Sequence, residues 1–173
     1  MRRFRMGLTA LLAAQTVALA VAPASWSLLD NVNLPVHETG HLVLAAFGET
    51  LQLLGGTLLQ LGLPLIFAGY FAVHRDEHAA SVCVWWVGQN CINVATYMAD
   101  AIPMELPLVG GGEHDWNLLF THWGVLGNSI TYARLTHGSG VLLMTVATMW
   151  GIIESLRGPG GTPAAAYPEQ HAT

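Results

Sequence analysis

His37-Glu38-Thr39-Gly40-His41 forms an HExxH pattern. On a helix the two histidines lie one turn apart on the same face, so both imidazoles can reach one metal ion, and imidazole suits zinc. Glu38 sits beside them, placed to take a proton from a water that the metal activates. Two histidines and a carboxylate are costly in hydrocarbon, where such groups usually face a functional cavity.

A catalytic zinc takes three protein ligands and leaves a fourth position for water or substrate. The segment 100–116 is the natural source of the third, with Asp100 and then Gly110-Gly111-Gly112-Glu113-His114-Asp115-Trp116. His114 is the first choice, because the glycines let the backbone fold back toward His37 and His41. Asp100 is the rival, since carboxylates also complete His-rich zinc sites. Asp115 would then orient an imidazole from behind or cap the helix begun by Trp116. Taken alone, the same segment also suits an interfacial loop with Trp116 at the membrane boundary.

His74-Arg75-Asp76-Glu77-His78 fits the inverted pattern HxxEH. It lies in a short charged connection and brackets an arginine that would repel a cation, so a solvated loop is expected. His122 and His137 read as hydrogen-bonded packing residues, and Cys83 and Cys91 as small apolar ones.

The chain that must position these groups is 53% hydrophobic and 10% charged, and it has no lysine. A typical soluble domain is about 25% charged. So little polar surface cannot coat a soluble domain, and an all-α integral membrane protein in contact with a lipid bilayer is expected. A net charge of −5 without a basic patch leaves nothing to neutralise phosphates, so no nucleic-acid partner is expected.

Apolar stretches of spanning length run over 7–29, 51–73, 79–99 and 127–153. The HExxH segment, 34–48, has an apolar part too short to cross alone. The pattern predicts about four transmembrane helices plus a re-entrant or tilted HExxH helix, with Pro35 in its first turn and Asn33 as its cap. Gly48 and Gly55-Gly56 suit a turn or a close approach of backbones. Gln60, Gln89, Asn90 and Asn93 fall within predicted spans, where they bond between helices or line the histidine cavity. The basic Met1–Arg5, the apolar run to Val21 and Ala22-Pro23-Ala24 have a signal-peptide pattern. However, the run continues through Trp26, Leu28 and Leu29, which predicts an uncleaved first helix. Residues 1–157 read as a single helical membrane domain and 158–173 as a flexible Gly/Pro/Ala-rich tail.

Charge position orients the chain. Four spans put Arg2, Arg3, Arg5, Arg75 and Arg157 on one side and the acidic segments 30–38 and 100–115 on the other. The positive-inside rule then places both termini in the cytoplasm and the HExxH mouth on the far face. A five-span arrangement with 33–54 as a full helix would put Arg75 and Arg157 outside, and ranks second.

His37-Glu38-Thr39-Gly40-His41 on a membrane-embedded helix resembles the site-2 protease family of intramembrane zinc metallopeptidases, in which HExGH occurs in this setting. The resemblance implies zinc on His37 and His41 and Glu38 as general base for peptide hydrolysis. That family's Asp-Gly pair on a later helix has no counterpart, because Asp100 is followed by Ala101. Over most of its length the chain is similar to small multi-pass bacterial membrane proteins that pair HETGH with a Gly-Gly span and a later HDW. Gly55-Gly56 and His114-Asp115-Trp116 match them, which implies a metal site containing His114. The expectation is an integral membrane Zn2+ protein, a metallopeptidase-like hydrolase with Glu38 catalytic and His37, His41 and His114 on the metal. The alternative is a non-catalytic accessory subunit of a larger membrane protein complex. The six tryptophans, suited to interfaces and subunit contacts, fit that reading.

Overall fold

The computed structural model describes residues 1–24, 27–108 and 113–157. The expected tail 158–173, Trp26 and Gly110-Gly111-Gly112 lie outside the described residues. The helices are α1 (Arg2–Val21), α2 (Asp30–Leu44), α3 (Glu49–Val73), α4 (Glu77–Ala99), α5 (Asp115–His122) and α6 (Ser129–Arg157). Short 3-10 turns cover Ala45–Phe47 and Leu126–Asn128, and no strand occurs among the described residues.

Among the described residues, three helical stretches are long and apolar enough to cross a membrane: Arg2–Val21, Glu49–Val73 and Leu126–Arg157. The fourth expected span, α4, is 23 residues long but falls short in hydropathy, because it carries Gln89, Asn90 and Asn93. Gln89 and Asn90 are wholly buried. α4 is the central helix, packed on both α3 and α6, with Trp85 and Ile92 in a core shared with Met144 and Ala147 of α6.

The first apolar run does not continue as one helix to residue 29. α1 stops at Val21, because Pro23 has no backbone N–H and disfavours helical geometry at Ala22. The chain then dives back along the bundle. Gln15 Nε2 donates to Ser27 Oγ at 2.8 Å, and Ser27 N donates to Asp30 Oδ2 at 2.7 Å. Asp30 Oδ1 accepts from Gln89 Nε2 and Asn93 Nδ2, both at 3.1 Å. α2 therefore begins beside the middle of α4 and runs outward to its 3-10 turn, where Gly48 at φ 94° reverses the chain into α3.

This early start corrects two expectations. Pro35 lies inside α2 rather than in its first turn. It leaves only the carbonyl of exposed Asn31 without a helical partner, so the helix persists. Asn33 is not a cap but a buried cross-link. Its Nδ2 donates to Gln89 Oε1 at 2.8 Å and Asn93 Oδ1 at 2.9 Å, and its Oδ1 accepts from Trp86 Nε1 at 2.8 Å.

α2 and α3 run antiparallel and touch backbone to backbone. A Cβ on Gly40 would overlap the Gly55 carbonyl, and a Cβ on Gly55 would overlap that of Gly40. α4 and α6 cross in the same way at Gly88 and Gly140, where a Cβ on Gly140 would lie 2.7 Å from the Gly88 oxygen.

The far end of the bundle is clamped by side chains. Arg5 Nη2 pairs with Asp76 Oδ1 at 3.2 Å, and Thr9 Oγ1 meets His78 Nε2 at 3.0 Å and Ser155 Oγ at 3.5 Å. The start of α1, the start of α4 and the end of α6 thus share one end, opposite the turn after α2. The HxxEH segment belongs to this clamp and is only partly the solvated loop expected: His74 is exposed, but His78 is buried.

Substituting leucine for Gly55 drives a side chain into the α2 backbone. Overpacking of this kind typically costs about 1–3 kcal/mol. A lowered thermal midpoint is expected for Gly55→Leu in detergent, and none for Gly62→Ala, whose Cβ would meet nothing within 4 Å.

Candidate metal centre

The backbone contact at Gly40 and Gly55 lays His37 flat against α3. A Cβ on Gly56 would lie 2.5 Å from His37 Nε2, so only glycine leaves room for the ring. One turn on, His41 packs edge-to-face on His37 with ring centroids 4.7 Å apart. Asp115, the first residue of α5, is delivered from across the bundle. Its Oδ2 lies 3.1 Å from His37 Nε2 and 3.3 Å from His41 Nε2. These three residues form the one group of metal-ligating side chains among the described residues, with all ligand atoms within 4.8 Å of one another. In a tetrahedral zinc site with bonds of about 2.0–2.1 Å, ligand atoms stand about 3.3–3.4 Å apart. The two Nε2–Oδ2 distances approach that spacing.

The tautomers follow from the hydrogen bonds behind the rings. His41 Nδ1 lies 2.7 Å from the backbone carbonyl of Gln52. A carbonyl can only accept, so Nδ1 carries the hydrogen. For His37 the logic runs one step further. Asn90 Nδ2 donates to the Gln60 backbone carbonyl at 2.9 Å, which fixes the Asn90 amide with Oδ1 toward Gln60 Nε2, also at 2.9 Å. Gln60 Oε1 is thereby turned to His37 Nδ1 at 3.0 Å, and that nitrogen also donates. Each ring, with Nδ1 so committed, turns its Nε2 to the same carboxylate oxygen, and in its neutral form would aim a lone pair there. Three electron-rich atoms facing one point repel unless a cation or added protons sit among them. Metal-binding histidines are held by this same outer hydrogen bond.

Charge at the cluster follows the geometry. The hydrogen bond to Asp115 outweighs burial and raises His41 to a pKa of about 9. Burial alone would raise the Asp115 carboxyl, but the hydrogen bonds of His37 and His41 overcome it and hold the group below its ordinary value. Without metal the trio is thus an ion pair, and a metal must displace its protons.

Glu38 is half-buried and shares with the trio a cavity of about 590 Å³. Asp30, Asn33, Gln60, Asn93, Tyr97 and Glu113 add polar groups to its wall, and Pro23, Leu34, Leu53, Val94, Leu106 and Pro107 make it largely apolar.

The structure brings His37, Glu38 and His41 together as the motif predicts, but it places Asp115 rather than His114 beside them. His114 is the buried N-cap of α5, its Nδ1 accepting from Asn117 N at 3.2 Å. Its Nε2 lies 3.3 Å from Asp100 Oδ2, off the line needed for a hydrogen bond. Successive residues at a helix start point about 100° apart, so only one of this pair can face α2. Asp100 is likewise committed elsewhere, accepting from Glu105 N at 2.9 Å and Leu106 N at 3.1 Å. Trp116, which an interfacial loop would have placed at the membrane boundary, is buried in a core with Leu119 and Phe120. Gln52 acts through its backbone, which no sequence pattern marks. Tyr97 belongs to no motif, and its one signal in the sequence is that it continues the face of Trp86, Gln89, Asn90 and Asn93 at helical spacing.

No family model, curated protein or solved structure matches the chain.

Replacing Gln60 by leucine removes the acceptor that fixes His37. Loss of such an outer partner typically costs about 10–100-fold in metal affinity. A fall of that size is expected for Gln60→Leu in a competition titration with a chromogenic chelator, with Gln60→Glu retaining most of the affinity.

Proposed function

We propose that this chain is a zinc-binding, multi-pass protein of the bacterial inner membrane, and that it works as a metallopeptidase-like hydrolase. The observation that supports this most is the convergence of two imidazole Nε2 atoms on one carboxylate oxygen beside the half-buried Glu38. His37, His41 and Asp115 hold the ion, so a carboxylate takes the place expected of His114. Two histidines, one carboxylate and an open fourth position are the donor set of a hydrolytic zinc site.

Bound there, zinc supplies Lewis acidity and brings the pKa of a coordinated water near neutrality. Glu38 accepts the proton, and the apolar wall excludes bulk water, which strengthens every charge interaction inside. Four spans, with α4 as the fourth, and a re-entrant element built on α2 fit the helix geometry. The gathering of Arg2, Arg3, Arg5, Arg75 and Arg157 at the end away from the cavity supports cytoplasmic termini and a cavity mouth on the other face.

A second reading, a non-catalytic subunit of a larger membrane complex, draws on the turn after α2. Leu42 is 79% exposed and Phe47 66%, outside any helix able to span, and such apolar exposure suits a partner.

About one zinc per chain is expected by mass spectrometry of the purified protein. His41→Ala and Asp115→Ala lose it, while His114→Ala and Glu38→Gln keep it. Peptide release by the zinc-loaded protein is expected to drop about 10²–10⁴-fold in Glu38→Gln. Equal release by Glu38→Gln and the native chain would remove the hydrolase reading, and fixed-ratio co-purification with a complex would put the subunit in its place.

A further inference from the structure

Resting on the zinc-hydrolase reading, we infer that Tyr97 is a further catalytic residue, the hydrogen-bond donor that stabilises the negative charge developing on a substrate carbonyl oxygen.

The phenol is fixed beside the metal cluster from three directions. Its ring packs against His114 with centroids 4.2 Å apart and stands edge-on to His37 at 6.2 Å. Its oxygen accepts from the backbone N–H of Asp115 at 3.2 Å. That bond uses a lone pair and leaves the hydroxyl proton to be given. Among the described residues no acceptor takes it, and the side chain borders the cavity next to Asp115.

The charged groups and the imidazoles at this end of the cavity cannot do the same work. Glu38, Glu113 and Asp115 are carboxylates, which accept hydrogen bonds when ionised and repel an oxyanion. The Nδ1–H groups of His37 and His41 are committed to Gln60 and Gln52. No lysine or arginine lines the cavity. Tyr97 O–H is thus a fixed neutral donor beside the metal site, whereas the Gln52 amide, the other uncommitted neutral donor in the lining, is on an exposed residue. An O–H positioned beforehand stabilises a tetrahedral oxyanion without transferring its proton, and no atoms or electrons change hands at the tyrosine.

The test uses zinc-loaded protein and two probes. A phosphinic dipeptide places on zinc a tetrahedral centre whose second oxygen seeks a donor, whereas azide binds zinc without one. In Tyr97→Phe, zinc affinity and azide binding are expected to stay at native levels. Affinity for the phosphinic dipeptide is expected to fall on the order of a hundredfold, the loss typical of one missing oxyanion donor. Native phosphinate affinity in Tyr97→Phe would overturn the inference. A parallel loss of zinc, azide and phosphinate would also overturn it, showing that the phenol only seats Asp115. A zinc-loaded native protein that binds neither probe would instead strike down the hydrolase reading on which the inference depends.

Discussion

The site depends on a contact that involves no side chain. At the crossing of α2 and α3 the backbones of Gly40 and Gly55 meet with no room for a methyl group between them. This approach presses His37 against Gly56, within reach of Gln60, and brings His41 Nδ1 to the Gln52 carbonyl. With the helices held apart by even one methyl group, both outer hydrogen bonds would stretch beyond useful length. Gly40 lies inside the HETGH segment, so one five-residue stretch carries both imidazoles of the cluster and the packing that aims them.

Two polar networks occupy the space that this crossing leaves. One runs from Asp115 through His37 and Gln60 to Asn90. The other joins Asp30, Asn33, Gln89, Asn93 and Trp86. Buried amides are costly when unpaired and rigid when paired, and here the amides satisfy one another. The first network sets the proton positions on His37. The second anchors the start of α2 beside mid-α4, so the helix bearing the histidines is held at both ends.

Much of this was legible in the sequence, for identifiable reasons. Long apolar runs bounded by charged turns define α3, α4 and α6 within a few residues. HExxH fixes the relative placement of His37, Glu38 and His41, because helix geometry alone decides it. Spatial facts were less accessible. Whether His114 or Asp115 faces α2 depends on the rotation of α5, and neighbouring residues give no local signal for that. The return of the chain after Val21 depends on Ser27 and Asp30 finding Gln15, Gln89 and Asn93, partners far along the chain. Gln60 and Asn90 could be marked as inward-facing, but their interlock appears only when α3 and α4 are side by side.

The clamp between Thr9 and Ser155 joins the first helix to the last, across 146 residues. A chain emerging from the ribosome makes its N-terminal elements first. The hairpin of α2 and α3 can therefore close, and Gln60 can meet Asn90, while α5 and α6 are still unmade. Both imidazoles are then in place before the carboxylate that joins them has been synthesised. During biogenesis Asp115 is the last of the three to arrive, and α1 finds its full set of neighbours only once α6 has been made.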